Sequence, residues 1–153
     1  MLIPQDNNGV IDANTYATEQ ELASYVAARG IVLTNEPSSL LLKAIDVIDA
    51  KQYKSDKTNL SQQTEFPRLG VGIPAGVKKA QILLAVAADT NDLLSATTEQ
   101  VAKREKVAEI EVEYFESKDA VNGSPLLTLV NELLAPYLAS TGRVAMNVRV
   151  YRG

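Results

Sequence analysis

Residues 74–95 of this chain read PAGVKKAQILLAVAADTNDLLS, which is the strongest helical pattern in the sequence. Val77, Gln81 and Leu84 repeat along one side at helical spacing, and a row of small alanines runs beside them. Pro74 suits the first turn, because its missing N–H would have no helical partner there. The broad face of small residues predicts close approach of another helix, either within the subunit or from a neighbour. We expect this segment to be the central, buried helix of the fold.

Two shorter helices are predicted before it and one after it. Thr18 and Glu21 have the spacing of a capping box, which predicts a helix over about 19–29 that stops at a glycine. Asn35 can cap a second helix, which carries a proline in its first turn and ends near residues 52–53. A last helix is predicted over about 125–135, because prolines stand at its start and just after its end.

The hydrophobic period changes late in the chain. Residues 109–114 alternate strictly between glutamates and apolar side chains, and residues 144–151 alternate in the same way. Two strands alone are marginal in water, so they must pack on the helices or pair with strands of other subunits. The predicted class is therefore mainly α, a small bundle of about four helices with a late two-strand β element.

The chain length of 153 residues fits one domain. Within it we predict an extended N-terminal arm over 1–14, a long irregular loop over 54–73 and a C-terminal strand and tail over 141–153. Long loops in small domains are usually functional or held by packing. Gly70 and Gly72 indicate a turn in that loop, since the third glycine and preceding strand of a dinucleotide-binding fingerprint are missing.

Composition excludes several classes of function. With no histidine and no cysteine, the chain has no Ser–His triad, thiol nucleophile, usual zinc site or disulfide. Asp89 and Asp92 are spaced as on a solvated helix end rather than as a catalytic pair. No apolar run approaches the ~20 residues of a membrane span, and no signal peptide is visible. We therefore expect a protein made in the cytoplasm that is not an enzyme and has no cofactor, metal or membrane contact.

Charge is distributed unevenly. The net charge of −4 does not suit a general nucleic-acid coat, although a local basic stripe remains possible. Opposite charges on the two predicted strands invite cross-strand pairs worth roughly 0.2–1 kcal/mol each, or they only solvate the outer face of a sheet. Alternatively, the arginines contact phosphate or an acidic neighbour, and the glutamates line a channel that repels DNA. The residues concerned are Glu109, Glu111 and Glu113 on one side and Arg143, Arg149 and Arg152 on the other.

Several segments, taken in order, resemble a family of tailed-phage proteins. The family is often labelled DnaT-like, single-stranded DNA-binding, and it is also similar to the head–tail connector or head-completion adaptor group. The resemblance runs from Tyr16 to Leu138, and no single motif is diagnostic. Its segments are YATEQELASY at 16–25, FPRLGV at 66–71, IPAGVKKAQ at 73–81, KREKVAEIEVEY at 103–114 and LLAPYL at 133–138.

The two labels of this resemblance imply different functions. The adaptor label implies a ring, about twelve subunits in size, in the neck of the virion. A portal protein would lie above the ring and a tail or nozzle protein below it, and DNA would pass through the lumen without sequence-specific binding. The alternative is a phage module that binds single-stranded DNA, which needs a positive groove and stacking rings.

The acidic balance and the aromatic content of 5% favour the adaptor. The 54–73 loop and the C-terminal tail are the expected contact surfaces. Candidate contacts with partners or other subunits are Phe66, Arg68, Glu109, Glu111, Glu113, Arg143, Arg149 and Arg152.

Overall fold

The computed structural model describes residues 1–90, residue 93 and residues 125–140. These residues form four α-helices, and the predicted mainly helical class is confirmed at that level. The helices are α1 (Glu19–Ala27), α2 (Pro37–Asp49), α3 (Ala75–Thr90) and α4 (Pro125–Leu134), and a 3-10 turn (Ala135–Tyr137) follows α4. The predicted strands over 109–114 and 144–151 and the tail over 141–153 lie outside the described residues. None of the described helices is both long and apolar enough to cross a bilayer.

Helix α3 is the central helix, as its sequence predicts. It packs against α2 and α4, and less extensively against α1. Val77 and Leu84 are fully buried, and Ala80, Ala85 and Ala88 of the same helix are buried as well. A Cβ added at Gly76 would lie 3.3 Å from the carbonyl oxygen of Leu133 in α4. Small side chains therefore occur where another helix of the same chain comes close.

Helix α1 begins and ends as local sequence signals predict. The Thr18 hydroxyl accepts from the Glu21 N–H at 3.1 Å, and the Glu21 carboxylate accepts from the Thr18 N–H at 2.7 Å. This reciprocal pair satisfies two backbone donors that the first turn leaves without partners. At the other end, Gly30 adopts a φ of +64°, a conformation that glycine takes without strain.

Helix α2 differs from its prediction at both ends. Glu36, not Asn35, is the N-cap residue, and it makes no side-chain cap bond. Instead, the Asp89 carboxylate at the end of α3 accepts from the N–H groups of Thr34 at 2.9 Å and Asn35 at 2.8 Å. These hydrogen bonds lower the pKa of Asp89, and the bond from the Thr34 N–H has the largest effect. Asp89 thus joins α3 to the segment before α2 by hydrogen bonds at the exposed end of α3, and Asp92 lies outside the described residues.

The C-terminal end of α2 comes earlier than residues 52–53. The last helical residue is Asp49, and the Ala50 N–H closes the helix by donating to Asp46 and Ile48. The Tyr53 hydroxyl then donates to the Ile48 carbonyl at 2.7 Å, which turns this ring back into the core. The helix therefore ends about three residues before its predicted end, and a buried local bond follows it.

A buried glutamine ties the N-terminal segment to the helices. The Gln81 side chain, fully buried in α3, accepts from the N–H groups of Tyr16 at 2.9 Å and Ala17 at 2.8 Å. Its Nε2 donates to the Thr15 hydroxyl and to the Leu41 carbonyl, both at 2.9 Å. All four hydrogen-bonding positions of the amide are therefore used.

The N-terminal segment, predicted as an arm over 1–14, packs against the 54–73 loop. The Gln5 amide donates to the Val10 carbonyl at 2.9 Å and to the Thr64 hydroxyl at 2.7 Å. Gly9 is buried with a φ of +82°, and a Cβ there would lie 2.6 Å from Gln62 Oε1. Glycine is required at this position, because both the backbone conformation and the space exclude a side chain.

The 54–73 loop has the predicted turn at its glycines. The Gly72 N–H donates to the Arg68 carbonyl at 3.0 Å, and the Arg68 N–H donates back to the Gly72 carbonyl at 3.3 Å. Gly70 and Gly72 have φ values of +77° and +68°. Within the described residues, the β-type pairing of this loop is limited to isolated bridges, such as the one between Lys57 and Arg68.

Candidate functional site

Two of the predicted contact residues, Phe66 and Arg68, come together at the base of the 54–73 loop. Phe66 is fully buried and makes edge contacts with three tyrosine rings, the nearest being Tyr53 at 4.7 Å between centroids. Arg68 is 8% exposed, and its Cζ lies 5.5 Å from the Tyr53 ring centroid. Their described contacts are thus intramolecular, and a role at a partner surface stays a prediction for both.

The Arg68 guanidinium holds the loop in place. It donates to the carbonyls of Lys54, at 3.3 Å, and of Ser55, and to the Glu65 carboxylate. Lys57 contacts the other oxygen of Glu65 at 3.3 Å. Because the cation binds two carbonyls of one loop segment and a carboxylate of another, it fixes the loop from inside. The other predicted contacts, Glu109, Glu111, Glu113, Arg143, Arg149 and Arg152, lie outside the described residues.

A partly buried carboxyl lies beside this cluster. The Tyr16 hydroxyl donates to Asp49 at 2.5 Å and accepts from the N–H groups of Glu65 at 3.0 Å and Phe66 at 3.1 Å. Burial raises the pKa of Asp49 to about 6, and the donated Tyr16 hydrogen bond opposes that rise. Burial and the nearby Asp49 also raise the pKa of Tyr16, so its hydroxyl keeps its proton. The arrangement supports the loop, and it leaves Asp49 sensitive to pH.

We expect the Asp49→Asn variant to gain stability relative to the wild type as pH rises from about 4 to 6. In this window the folded wild type binds more protons than the unfolded chain, because the pKa of Asp49 is higher when folded. The free energy of unfolding of the wild type therefore falls as pH rises, because the stabilising contribution of protonated Asp49 is lost. Urea midpoints of both proteins at about pH 4.5 and about pH 7 measure the effect. A difference between the two proteins that does not change with pH would contradict it.

An exposed cation lies over an aromatic ring at the C-terminal end of α1. Glu21 and Tyr25 are four residues apart on α1, and Arg29 follows two residues after the last helical residue. We call these three residues the α1 ridge. The Arg29 guanidinium lies over the Tyr25 ring, with Cζ 3.7 Å from the ring centroid. Lys78 of α3 contacts the Glu21 carboxylate at 3.1 Å, which adds a second cation to the ridge.

The ridge is fixed by local structure. Arg29 Nη1 donates to the Tyr25 carbonyl at 3.3 Å, near the C-terminal end of α1, where the helix dipole favours a cation. Tyr25 is half-buried and packs on the core, whereas Arg29 is exposed. A shallow depression of about 430 Å³ lies beside the N-terminal part of the ridge, lined by Thr18, Gln20, Glu21 and Ser24.

Hydrophobic periodicity does not predict the ridge, because Tyr25 fits the apolar side of the helix and the glycine after Arg29 indicates only where the helix stops. The available signal is the spacing Tyr25-x-x-x-Arg29, since aromatic and cationic side chains four apart on a helix can meet. No group of three or more acidic residues that would suit a metal ion occurs within residues 1–90, 93 and 125–140.

Comparison with known families places the entire chain in one of them. The family described as "Putative DnaT-like ssDNA binding protein" matches residues 1–153. No curated protein and no solved structure matches the chain. The head–tail adaptor interpretation is therefore wrong, and with it the connector, virion and portal-binding roles, because the family found is that of the alternative interpretation. The ring of about twelve subunits and the portal, tail or nozzle partners have no support from this match.

Proposed function

The chain belongs to this DnaT-like family, and from that membership we propose that the protein binds single-stranded DNA. The observation that carries the proposal is the family match over residues 1–153. The proposed role is binding without catalysis. Bases of a single strand are free to stack on protein side chains, which bases inside a duplex are not.

The charge of the chain requires a local binding site. With a net charge of −4, the molecule as a whole repels a phosphate backbone. The α1 ridge supports the proposal because it combines an exposed cation with an aromatic ring. Lys78 and the exposed Lys79 stand next to each other on α3, close to the Glu21 end of the ridge. The adaptor interpretation rested on the net charge of the chain and on its small number of aromatic residues. Neither quantity reveals a local binding site.

We expect binding to a single strand with a shallow dependence on salt. Three phosphate contacts, by Arg29, Lys78 and Lys79, correspond to a slope of about −2 in a plot of log K against log salt concentration. The measurement is the fluorescence anisotropy of a labelled thymidine oligonucleotide, about 20 nucleotides long so that it exceeds a usual site of roughly 4–16. Salt is varied from about 50 to about 200 mM.

The same titration defines the results that would contradict the proposal. No binding to the oligonucleotide at the lowest salt concentration would overturn the proposed function. Equal affinity for a duplex of the same length would also overturn it, because stacking requires unpaired bases. A slope near −4 corresponds to about six phosphate contacts, which is more than Arg29, Lys78 and Lys79 provide. Such a slope would show that other cations of the chain contact the strand.

A further inference from the structure

We propose that the solvent face of the Arg29 guanidinium, stacked on Tyr25, is a platform that holds one unpaired nucleobase. This inference rests on the proposed function, since it names the place on the chain where a single strand would be bound. The base would lie parallel to the guanidinium plane, so that base, Arg29 and Tyr25 form a three-layer stack. Arginine planes and aromatic rings are the surfaces on which proteins hold unstacked bases.

The platform is preorganised. The Tyr25 ring covers one face of the guanidinium at 3.7 Å, and the Nη1 bond to the Tyr25 carbonyl limits its rotation. Because the exposed side chain is already held, binding loses less conformational entropy than it would for a free arginine. The guanidinium has five N–H donors, and those not used by Tyr25 can reach a phosphate or a base acceptor.

The surface around Arg29 leaves room for a strand of DNA. At the next residue, Gly30, an added Cβ would meet no atom within 4 Å. Val32, three residues after Arg29 in the chain, is 88% exposed. At the N-terminal end of α1, Lys78 of α3 contacts the Glu21 carboxylate at 3.1 Å.

The other described aromatic rings are poorly placed for this role. Tyr16 and Phe66 are fully buried, and Tyr53 is 7% exposed, so none of the three has a face open to a base. Tyr137 is half-buried and contacts Phe66 with its ring. Tyr25 differs from all four because its ring carries a cation whose outer side faces solvent.

The test compares variants that separate stacking from charge. Arg29→Lys keeps the positive charge but lacks the plane on which a base stacks. We expect it to weaken binding of the thymidine oligonucleotide by about tenfold, the usual effect of losing one stacked base, with an unchanged salt slope. Lys43→Gln, which removes an exposed cation on α2 outside the platform, is the charge control and should bind as the wild type does.

A second readout reports on the base itself. An oligonucleotide that carries 2-aminopurine loses fluorescence when that base stacks, so wild-type protein should quench it and Arg29→Lys should not. Circular dichroism confirms that each variant is folded. If the wild type binds and Arg29→Lys matches it in both readouts, the platform is wrong while the proposed function stands. Equal weakening by Lys43→Gln would likewise overturn the platform, and failure of the wild type to bind would overturn the function itself.

Discussion

Replacing Gln81 by alanine is expected to lower the free energy of unfolding by about 2–6 kcal/mol, because two buried N–H groups lose their acceptor. The side chain is fully buried and makes four hydrogen bonds to the N-terminal segment and to α2. Its loss leaves the N–H groups of Tyr16 and Ala17 without an acceptor, and each unsatisfied buried group costs about 1–3 kcal/mol. The cavity left by truncation adds to this loss. Since a domain is stable by only about 5–15 kcal/mol, the variant is expected to be largely unfolded at moderate urea.

A second substitution separates the hydrogen bonds from the cavity. Gln81→Met keeps most of the side-chain volume but makes none of the four bonds, so we expect it to retain most of the destabilisation. Gln63→Met, at an exposed glutamine of the 54–73 loop, is the matched control and should change stability by less than about 0.5 kcal/mol. Urea unfolding followed by circular dichroism measures all three. Wild-type stability of Gln81→Met would show that the N-terminal segment does not depend on this amide.

Gln81 also shows what the sequence could not predict. Its position on α3 follows from helical periodicity, but its partners are Thr15, Tyr16, Ala17 and Leu41, which only the tertiary fold brings to it. A glutamine among apolar residues gives no sign of which backbone groups it will bind. The same reason applies before α2, where the carboxylate of Asp89, distant in the chain, accepts from the N–H groups of Thr34 and Asn35.

The features that the sequence does predict are local. Thr18 and Glu21 lie three residues apart, and the glycine turn after Arg68 closes within four residues, so their hydrogen bonds depend on neighbours in the chain. The α1 ridge is local as well, since Tyr25 and Arg29 are four residues apart. Hydrophobic periodicity indicates only which face of a helix is buried. A half-buried tyrosine fits that face, and the pattern does not show that a cation lies over its ring.

Replacing Phe66 by alanine is expected to lower the free energy of unfolding by about 3–5 kcal/mol. The ring is fully buried and meets three tyrosines edge to face, with centroids 6.0 Å from Tyr16, 4.7 Å from Tyr53 and 6.1 Å from Tyr137. These partners come from the segment before α1, the segment after α2 and the 3-10 turn. Truncation therefore removes contacts to three separate parts of the fold, in addition to leaving a cavity.

The variant series at Phe66 distinguishes a supporting role from a role in direct partner contact. Phe66→Leu retains apolar volume but loses the edge-to-face geometry, so we expect a smaller loss of about 1–2 kcal/mol. Leu60→Ala, at an 84% exposed apolar residue of the same loop, is the control and should leave stability unchanged. Hydrogen exchange at the Glu65 and Phe66 amides, which donate to the Tyr16 hydroxyl, should accelerate in Phe66→Ala and not in Leu60→Ala. Normal stability of Phe66→Ala would contradict the supporting role, because a ring at the junction of three segments cannot be removed without loosening them.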